Sequence, residues 1–336
     1  MRSSANTPNM ARRIVILGVG GTIAASASSA TKTHDYELTG TLDTVLAQVP
    51  QLGELARIGT EQVANVASHE VDNAVLLHLA KRVNEHLADP AVDGIVITHG
   101  TDTLEETAYF LHLVVKSDKP VVVTGAMRPS SALSADGPLN LYNAVRVAIH
   151  DGARGVGVLV VLDERVASAR DVTKTHTSAT DAFRALDSPE LGALGGGKVL
   201  FAASPLRKHT RDTCFDLQAI QTLPQVDIVY GYQNGGTFFF KAAIEAGSRG
   251  IIFAATGNGS LSEAAKAGAL MARERGIVFV RASRVAAGAV CECADDARYD
   301  TVAAGTLNPQ KARVLTMLGL AHGMDTSALR HAFESY

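Results

Sequence analysis

The sequence predicts an α/β protein, with a larger N-terminal domain built on a parallel sheet and a smaller C-terminal α/β domain. Short β-branched runs alternate with amphipathic segments, the order that produces parallel sheets. The chain has 336 residues, 46% hydrophobic and 19% charged, which suits roughly two globular domains. We predict a disordered tail over 1–11, an N-terminal domain over 12–204, a linker over 205–224 and a C-terminal domain over 225–336.

The individual elements follow from hydrophobic periodicity. Predicted strands cover 13–17, 92–97, 120–124, 157–162, 199–201, 226–230, 250–254 and 277–280. Predicted helices cover 42–55 with a break at Pro50, 71–87, 104–116, 139–149, 239–246, 261–275, 309–320 and 326–333. The segment 166–180 has no clear apolar period, 188–198 is Gly-rich and turn-like, and 26–35 is typical of a mobile lid loop.

Composition argues against several classes of partner. The net charge is −3 without a cluster of basic residues, so nucleic acid is not an expected partner. No apolar run reaches the ~18 residues of a membrane span, and the polar N-terminus lacks the apolar segment of a secretory signal. The three cysteines are an odd number, and we expect free thiols rather than disulfides. The histidines do not have the sequence spacing of metal ligands. We expect a cytoplasmic protein that uses no metal and no cofactor.

The turn from His99 to Thr103 is the first candidate site. It lies between the predicted strand 92–97 and the predicted helix 104–116, at the sheet edge where open α/β folds bind ligands. A Thr hydroxyl, a carboxylate and free helix N–H groups meet there, from Thr101, Asp102 and the helix start. The alternative is a purely structural role for this turn, because Thr103 precedes Glu106 by three residues, which is the spacing of a helix capping box.

A second threonine-bearing turn follows the first strand. Three glycines in Gly18–Gly21 suggest a dinucleotide fingerprint, but Ile23 occupies the place that requires Gly or Ala. The glycines instead allow a tight turn that presents Thr22 at the carboxyl end of the strand. Thr22 as a simple helix cap remains the alternative.

The two turns predict acyl transfer. A Thr hydroxyl is a poor nucleophile at neutral pH and needs a base. Asp102 adjoins Thr101, and Lys174 could act as a base if it were desolvated nearby. Helix N–H groups could stabilise an oxyanion. Because sequence spacing does not bring Lys174 to Thr101, that contact is a hypothesis.

Several motifs in the right order resemble the bacterial L-asparaginase family, particularly its high-affinity type II branch. The resemblance covers essentially the whole chain from about residue 12. Its motifs are Gly20-Gly21-Thr22-Ile23-Ala24, His99-Gly100-Thr101-Asp102-Thr103, Gly125-Ala126-Met127-Arg128-Pro129, Ser134-Ala135-Asp136-Gly137-Pro138, Asp171-Val172-Thr173-Lys174-Thr175 and Gly305-Thr306-Leu307-Asn308-Pro309.

The resemblance implies catalytic roles for five residues and a reaction, L-asparagine to L-aspartate and ammonia. Thr22 would be the nucleophile that forms the acyl intermediate, with Tyr36 as the lid tyrosine beside it. Thr101, Asp102 and Lys174 would form a second, triad-like group that activates the nucleophile or water.

The resemblance also implies the substrate contacts. Ser68 would bind the α-carboxylate, Asp102 the α-ammonium and the backbone of Ala126 the side-chain amide, with Thr101 also in contact. A homotetramer is implied, in which each site borrows residues from a neighbouring subunit. The matching positions are Ser260, where many members have Asn, and Glu292.

His69 is the main departure from the family pattern, because similar enzymes carry Gln or Glu there, in contact with the substrate ammonium. Protonated histidine would repel an ammonium group. We therefore expect reduced glutamine turnover, and affinity that falls below about pH 6.5, the ordinary pKa of free histidine.

Other functions remain open at this point. One is a glutaminase-asparaginase with comparable activity on both amino acids. Another is the archaeal tRNA-dependent amidotransferase subunit, which has an extra N-terminal domain, whereas only 12 residues precede the first predicted strand here. A catalytically silent binding protein on the same scaffold is a third, and a nicotinamide oxidoreductase is disfavoured by Ile23.

Overall fold

The computed structural model describes residues 12–336, so the predicted disordered tail over 1–11 lies outside the described residues. Contacts divide the chain into two units. The first holds residues up to Ala108, with Val115–Ala185 and Pro189–Pro205; the second holds Tyr109–Val114, Leu186–Ser188 and Leu206–Tyr336. The domain and linker boundaries given above stay a prediction.

The first unit alternates strands with helices and is centred on an eight-stranded sheet. The strands of this unit, which include the eight of the sheet and two separate pairs, β2–β3 and β9–β10, are β1 Arg13–Gly20, β2 Ala25–Ser26, β3 Glu37–Leu38, β4 Arg57–Val66, β5 Gly94–Thr98, β6 Val121–Thr124, β7 Val158–Leu162, β8 Arg165–Ser168, β9 Val172–Lys174, β10 Phe183–Ala185, β11 Gly192–Gly195 and β12 Lys198–Phe201. Its helices are α1 Leu42–Leu46, α2 Leu52–Leu55, α3 Asn73–Ala88, the start of α4 Leu104–Val114, and α5 Gly137–Ala148.

The sheet order places two strand ends side by side. The order is β12-β11-β8-β7-β6-β5-β1-β4. Five neighbouring strands in it, β4, β1, β5, β6 and β7, are parallel. In chain order these five strands run 2-1-3-4-5, a doubly wound arrangement in which ligands bind where the order reverses. The reversal lies between β1 and β5, whose carboxyl ends lead directly to Thr22 and Thr101.

The α/β class is confirmed, but the larger sheet is mixed rather than parallel. β8, β11 and β12 join it antiparallel. The expectation of a turn over 188–198 was wrong in part, because that segment holds all of β11 and the first residue of β12, and the aperiodic segment 166–180 holds most of β8 and all of β9. They were missed because these strands have only three or four residues, too few to show a period.

The second unit carries a four-stranded parallel sheet in the order β13-β14-β15-β16. Its strands are β13 Val226–Tyr230, β14 Gly250–Ala255, β15 Val278–Ser283 and β16 Thr301–Ala303, and its helices are α6 Phe238–Glu245, α7 Glu263–Glu274, α8 Ala294–Tyr299, α9 Pro309–Ala321 and α10 Thr326–Ser335. Three aromatic rings, Phe240, Phe253 and Phe279, pack in its core with centroids 5.6 to 6.1 Å apart. Within residues 12–336, no helix is long and apolar enough to cross a bilayer.

Candidate active site

Two glycine turns touch each other at the carboxyl edge of the larger sheet. Gly21 has φ +88°, and a Cβ placed on it would lie 2.1 Å from the Gly100 Cα. A Cβ on Gly100 would in turn lie 2.8 Å from the Cβ of Ser68. Only hydrogen fits at both contacts, so glycine lets the turns that carry Thr22 and Thr101 meet the Ser68 segment.

Thr22 begins a short 3-10 helix, Thr22–Ala24, directly after these glycines. Its side chain is almost fully buried, and its Oγ1 lies 2.9 Å from the hydroxyl of Tyr36. Tyr36 is 38% exposed and lies next to β3, which pairs with β2. The structure thus brings this pair together, with Thr22 buried and Tyr36 partly exposed.

Lys174 joins the second group of predicted residues. Its Nζ donates to Thr101 Oγ1 at 3.0 Å and to Asp102 Oδ1 at 2.7 Å. The Thr101 side chain is buried, whereas that of Asp102 is 60% exposed. The contact that sequence spacing left as a hypothesis is therefore present in the structure.

A β-hairpin delivers Lys174 to the threonine turn. Lys174 ends β9 and pairs with Phe183 of β10. The preceding residue, Thr173, donates its hydroxyl to the buried carboxylate of Glu105 at 3.0 Å. Because Glu105 lies in the first turn of α4, this bond fixes the hairpin to the helix that follows Thr101.

The charge of Asp102 is stabilised by its neighbours. The hydrogen bond from Lys174 is the main cause that lowers its pKa, and the positive charges of Lys174 and His69 act in the same direction while partial burial opposes them. Asp102 is therefore an anion throughout the neutral range, and it faces an open cleft that it lines with Lys174, Thr175, His176 and Thr177.

Ser68 and His69 occupy a 3-10 turn, Ser68–Glu70, beside these groups. The Ser68 side chain is buried and its Oγ accepts a hydrogen bond from the Asp102 backbone N at 3.1 Å. His69 is exposed, with Nδ1 3.8 Å from Asp102 Oδ2 and Nε2 3.7 Å from Glu70 Oε1. The structure thus places both predicted binding residues beside Asp102, Ser68 at its backbone N and His69 at its carboxylate.

Ala126 lies in the buried turn that follows β6. The Asp136 carboxylate holds this turn, since it accepts from the backbone N of Met127 at 2.9 Å and of Arg128 at 3.0 Å. Asn140 adds a bond from its side chain to the Gly125 carbonyl at 3.0 Å. The backbone on both sides of Ala126 is thus fixed, as a backbone ligand contact requires.

Ser260 and Glu292 belong to the second unit and are described there by themselves. Ser260 closes a turn after β14, where its N donates to the Thr256 carbonyl at 3.1 Å. Glu292 lies between Cys291 and Cys293, just before α8. Both side chains are exposed.

His99 is a buried group whose role the sequence did not indicate. It is fully buried, with Nδ1 2.7 Å from the Gly100 carbonyl and Nε2 3.0 Å from the Thr107 hydroxyl. Since a carbonyl only accepts, Nδ1 carries the proton and Nε2 accepts from Thr107. Burial lowers the pKa of His99 to about 4, against a smaller opposing effect of the Gly100 carbonyl.

The buried His99 predicts a loss of stability in acid. The unfolded chain takes up a proton near pH 6.5, whereas the folded chain takes it up only near pH 4, so stability falls across that window. The loss is about 3 kcal/mol by pH 4. Denaturant unfolding of wild type and His99→Gln at pH 7 and pH 4 checks it: the variant is less stable at pH 7 but loses about 3 kcal/mol less on acidification. Equal losses would contradict this account.

Comparison with known proteins assigns the chain to a family. The sequence model of the family described as "Asparaginase, N-terminal" matches residues 13–207, and that of the family described as "Glutaminase/Asparaginase C-terminal domain" matches residues 225–333. L-asparaginase 2 of Bacillus subtilis is 51% identical over 327 residues, 96% of this chain and 86% of that protein. The glutaminase-asparaginase of Pseudomonas fluorescens is 45% identical over 328 residues, 96% and 90% of the two chains.

A solved structure agrees with these matches. The crystal structure titled probable cytoplasmic L-asparaginase from Campylobacter jejuni has a TM-score of 0.94 and 44% sequence identity, covering 97% of this chain and 100% of that one. The resemblance drawn from the motifs is confirmed, and this chain belongs to the L-asparaginase family of hydrolases.

Proposed function

We propose that this chain hydrolyses L-asparagine to L-aspartate and ammonia through a covalent intermediate on Thr22. The observation that carries the proposal is the contact of Lys174 Nζ with both Thr101 Oγ1 and Asp102 Oδ1, beside the turn that holds Thr22. The names of the Bacillus subtilis and Campylobacter jejuni relatives support the substrate.

The reaction divides into two acyl transfers. In the first, the Thr22 oxygen attacks the side-chain amide carbon, the C–N bond breaks and ammonia leaves with the hydroxyl proton. In the second, water attacks the resulting ester, aspartate leaves and Thr22 regains its proton. Tyr36, 2.9 Å from Thr22 Oγ1, is placed to move the first proton, and the Thr101–Lys174–Asp102 group to assist either step.

The same residues suit the α-groups of an amino acid. Asp102 is an exposed anion and can pair with the α-ammonium. Ser68 Oγ accepts from the Asp102 backbone N, which leaves its hydroxyl hydrogen to donate to the α-carboxylate. The fixed backbone at Ala126 is the proposed contact for the side-chain amide.

We also propose a homotetramer in which Ser260 and Glu292 of one copy complete the site of another. Both side chains are exposed on loops of the second unit, so a second copy can reach them. The cytoplasmic location stays a prediction. All three cysteines are free thiols in the structure, which is consistent with a reducing compartment.

His69 is proposed to limit the use of glutamine. Its ring lies 3.8 Å from the Asp102 carboxylate that is to hold the substrate ammonium, so a positive ring competes with that ammonium. We expect His69→Gln to raise kcat/KM for glutamine relative to asparagine. Measurement of kcat/KM on both substrates checks this, with His78→Gln on α3 as an exposed control. An unchanged ratio of the two kcat/KM values in His69→Gln would contradict it.

Ammonia release from L-asparagine and L-glutamine by the purified chain tests the proposed function. We expect strong turnover of asparagine and weak turnover of glutamine. Comparable kcat/KM values on the two would favour the glutaminase-asparaginase alternative, which the Pseudomonas fluorescens relative keeps open. Asparagine binding without ammonia release would favour a silent binding protein and overturn the proposal.

A further inference from the structure

A buried ion pair connects the two loops that carry Ser260 and Glu292. Arg281, in β15, is 2% exposed, and Asp296, in α8, is 6% exposed. Arg281 Nε lies 2.7 Å from Asp296 Oδ1, and Nη2 lies 2.5 Å from Oδ2. This is the two-pronged geometry that only a guanidinium offers to a carboxylate.

The remaining N–H groups of Arg281 hold the backbone next to the two exposed residues. Nη1 donates to the Gly259 carbonyl at 3.0 Å, directly before Ser260. Nη2 donates to the Cys291 carbonyl at 3.0 Å, directly before Glu292. The Arg281 side chain therefore fixes the backbone of both loops.

Asp296 secures the other side of Glu292. Its Oδ2 accepts from the Cys293 backbone N at 2.8 Å, directly after Glu292, and its Oδ1 accepts from the Thr301 hydroxyl at 2.5 Å. A further bond joins the two loops directly, from the Cys291 N to Asn258 Oδ1 at 2.8 Å. Glu292 is thus exposed while the peptide groups on both sides of it are fixed.

The glycine in the first loop fits the same arrangement. Gly259 has φ +72°, and a Cβ there would lie 2.7 Å from Arg281 Nη1 and 2.5 Å from Val290 Cγ1. The loop can pack this closely against the guanidinium only without a side chain.

The pair stays charged under working conditions. Burial alone would raise the pKa of Asp296, but the hydrogen bonds from Arg281, Thr301 and the Cys293 N outweigh it and lower that pKa. Burial would likewise lower the pKa of Arg281, and the bonded carboxylate raises it instead. A buried ion pair is weak evidence for a stabilising role, because well-packed apolar residues often replace such pairs without loss. Positioning of the loops is the better account of why these charges are buried here.

We propose that Arg281 and Asp296 are positioning residues, which set Ser260 and Glu292 to complete the active site of a neighbouring copy. The inference rests on the proposed function. It predicts that an altered Arg281 misplaces two exposed side chains that act in another subunit, while the nucleophile of its own subunit stays intact.

Matched substitutions separate positioning from general stability. Arg281→Lys keeps the charge but cannot bond both carbonyls and the carboxylate, and we expect kcat/KM on asparagine to fall about 10²-fold. Arg313→Lys is the control, since Arg313 Nε donates to the Val226 carbonyl at the opposite end of the sheet, 2.8 Å away. Asn258→Ala removes the bond from the Cys291 N to an exposed side chain, and we expect it to lower kcat/KM on asparagine several-fold without affecting folding. It therefore tests the same inference if Arg281→Lys does not fold.

Subunit mixing supplies a readout that a purely structural role would not change. Co-expressed Arg281→Lys and Thr22→Ala chains, purified through two tags, form hybrids in which one site has an intact Thr22 and intact neighbouring loops. We expect a hybrid pair of chains to have about half the kcat of a wild-type pair, because one of its two sites is intact. Each parent variant alone is impaired. If the hybrid stays as inactive as its parents, or if Arg281→Lys behaves like Arg313→Lys, this inference alone is overturned. A wild-type chain without turnover would contradict the proposed function and the inference with it.

Discussion

Replacing Thr22 by alanine is expected to lower kcat on L-asparagine by about 10⁴-fold or more, the usual effect of removing a covalent nucleophile. The Thr22 Oγ1 is the buried hydroxyl at the end of β1, bonded to Tyr36 at 2.9 Å, and alanine leaves no atom to form the ester. Substrate binding should survive, since the groups proposed to hold the α-carboxylate and α-ammonium are untouched. Steady-state ammonia release and equilibrium binding of aspartate measure the two effects separately.

Two further variants control this prediction. Thr22→Ser keeps a hydroxyl and should retain measurable turnover, whereas Thr60→Ala, at an exposed position of β4, should match wild type. If Thr22→Ala kept kcat within tenfold of wild type, Thr22 would not be the nucleophile and the hydroxyl of Thr101 would become the candidate.

Replacing Lys174 by methionine is expected to lower kcat by about 10³-fold, within the range for loss of a positioned acid–base group. Methionine fills the volume but leaves Thr101 Oγ1 without its donor and Asp102 without its main ion-pair partner. Because Lys174 is the largest cause that lowers the pKa of Asp102, that pKa should rise in the variant. The acid limb of the kcat/KM profile should therefore move to higher pH.

Lys81→Met, at an exposed position of α3, is the matched control and should leave both kcat and the pH profile unchanged. A Lys174→Met enzyme with reduced kcat but an unmoved acid limb would show that Asp102 does not govern that limb. Full activity in Lys174→Met would exclude Lys174 from the mechanism.

The sequence revealed the parts of the fold that are buried on both faces. β5 is buried along its whole length and apolar up to its last residue, Thr98, so its run was visible, as were those of β6 and β7. β4 was missed because it is an edge strand in which exposed and half-buried residues follow one another without a regular period. α8 and β16 were missed because each has six residues or fewer, too short for a period.

The site was predictable where it depends on strand order. Thr22 and Thr101 follow neighbouring parallel strands, and strand neighbourhood brings their turns together. Lys174 was not predictable from spacing, because its approach depends on the β9–β10 hairpin and on the bond from Thr173 to Glu105. Arg281 was not found at all, since arginine is normally exposed and nothing in its local sequence indicates burial.

The central claim is that Thr22 carries the acyl group, and rapid-quench peptide mapping tests it most directly. Wild-type enzyme would be mixed with L-asparagine, stopped in acid within the first turnover and digested, and the masses of the peptides that contain Thr22 and Thr101 compared. The account predicts a transient aspartyl ester on the Thr22 peptide, absent from Thr22→Ala and released by hydroxylamine. Ammonia release with no adduct on that peptide, or an adduct on the Thr101 peptide instead, would contradict it.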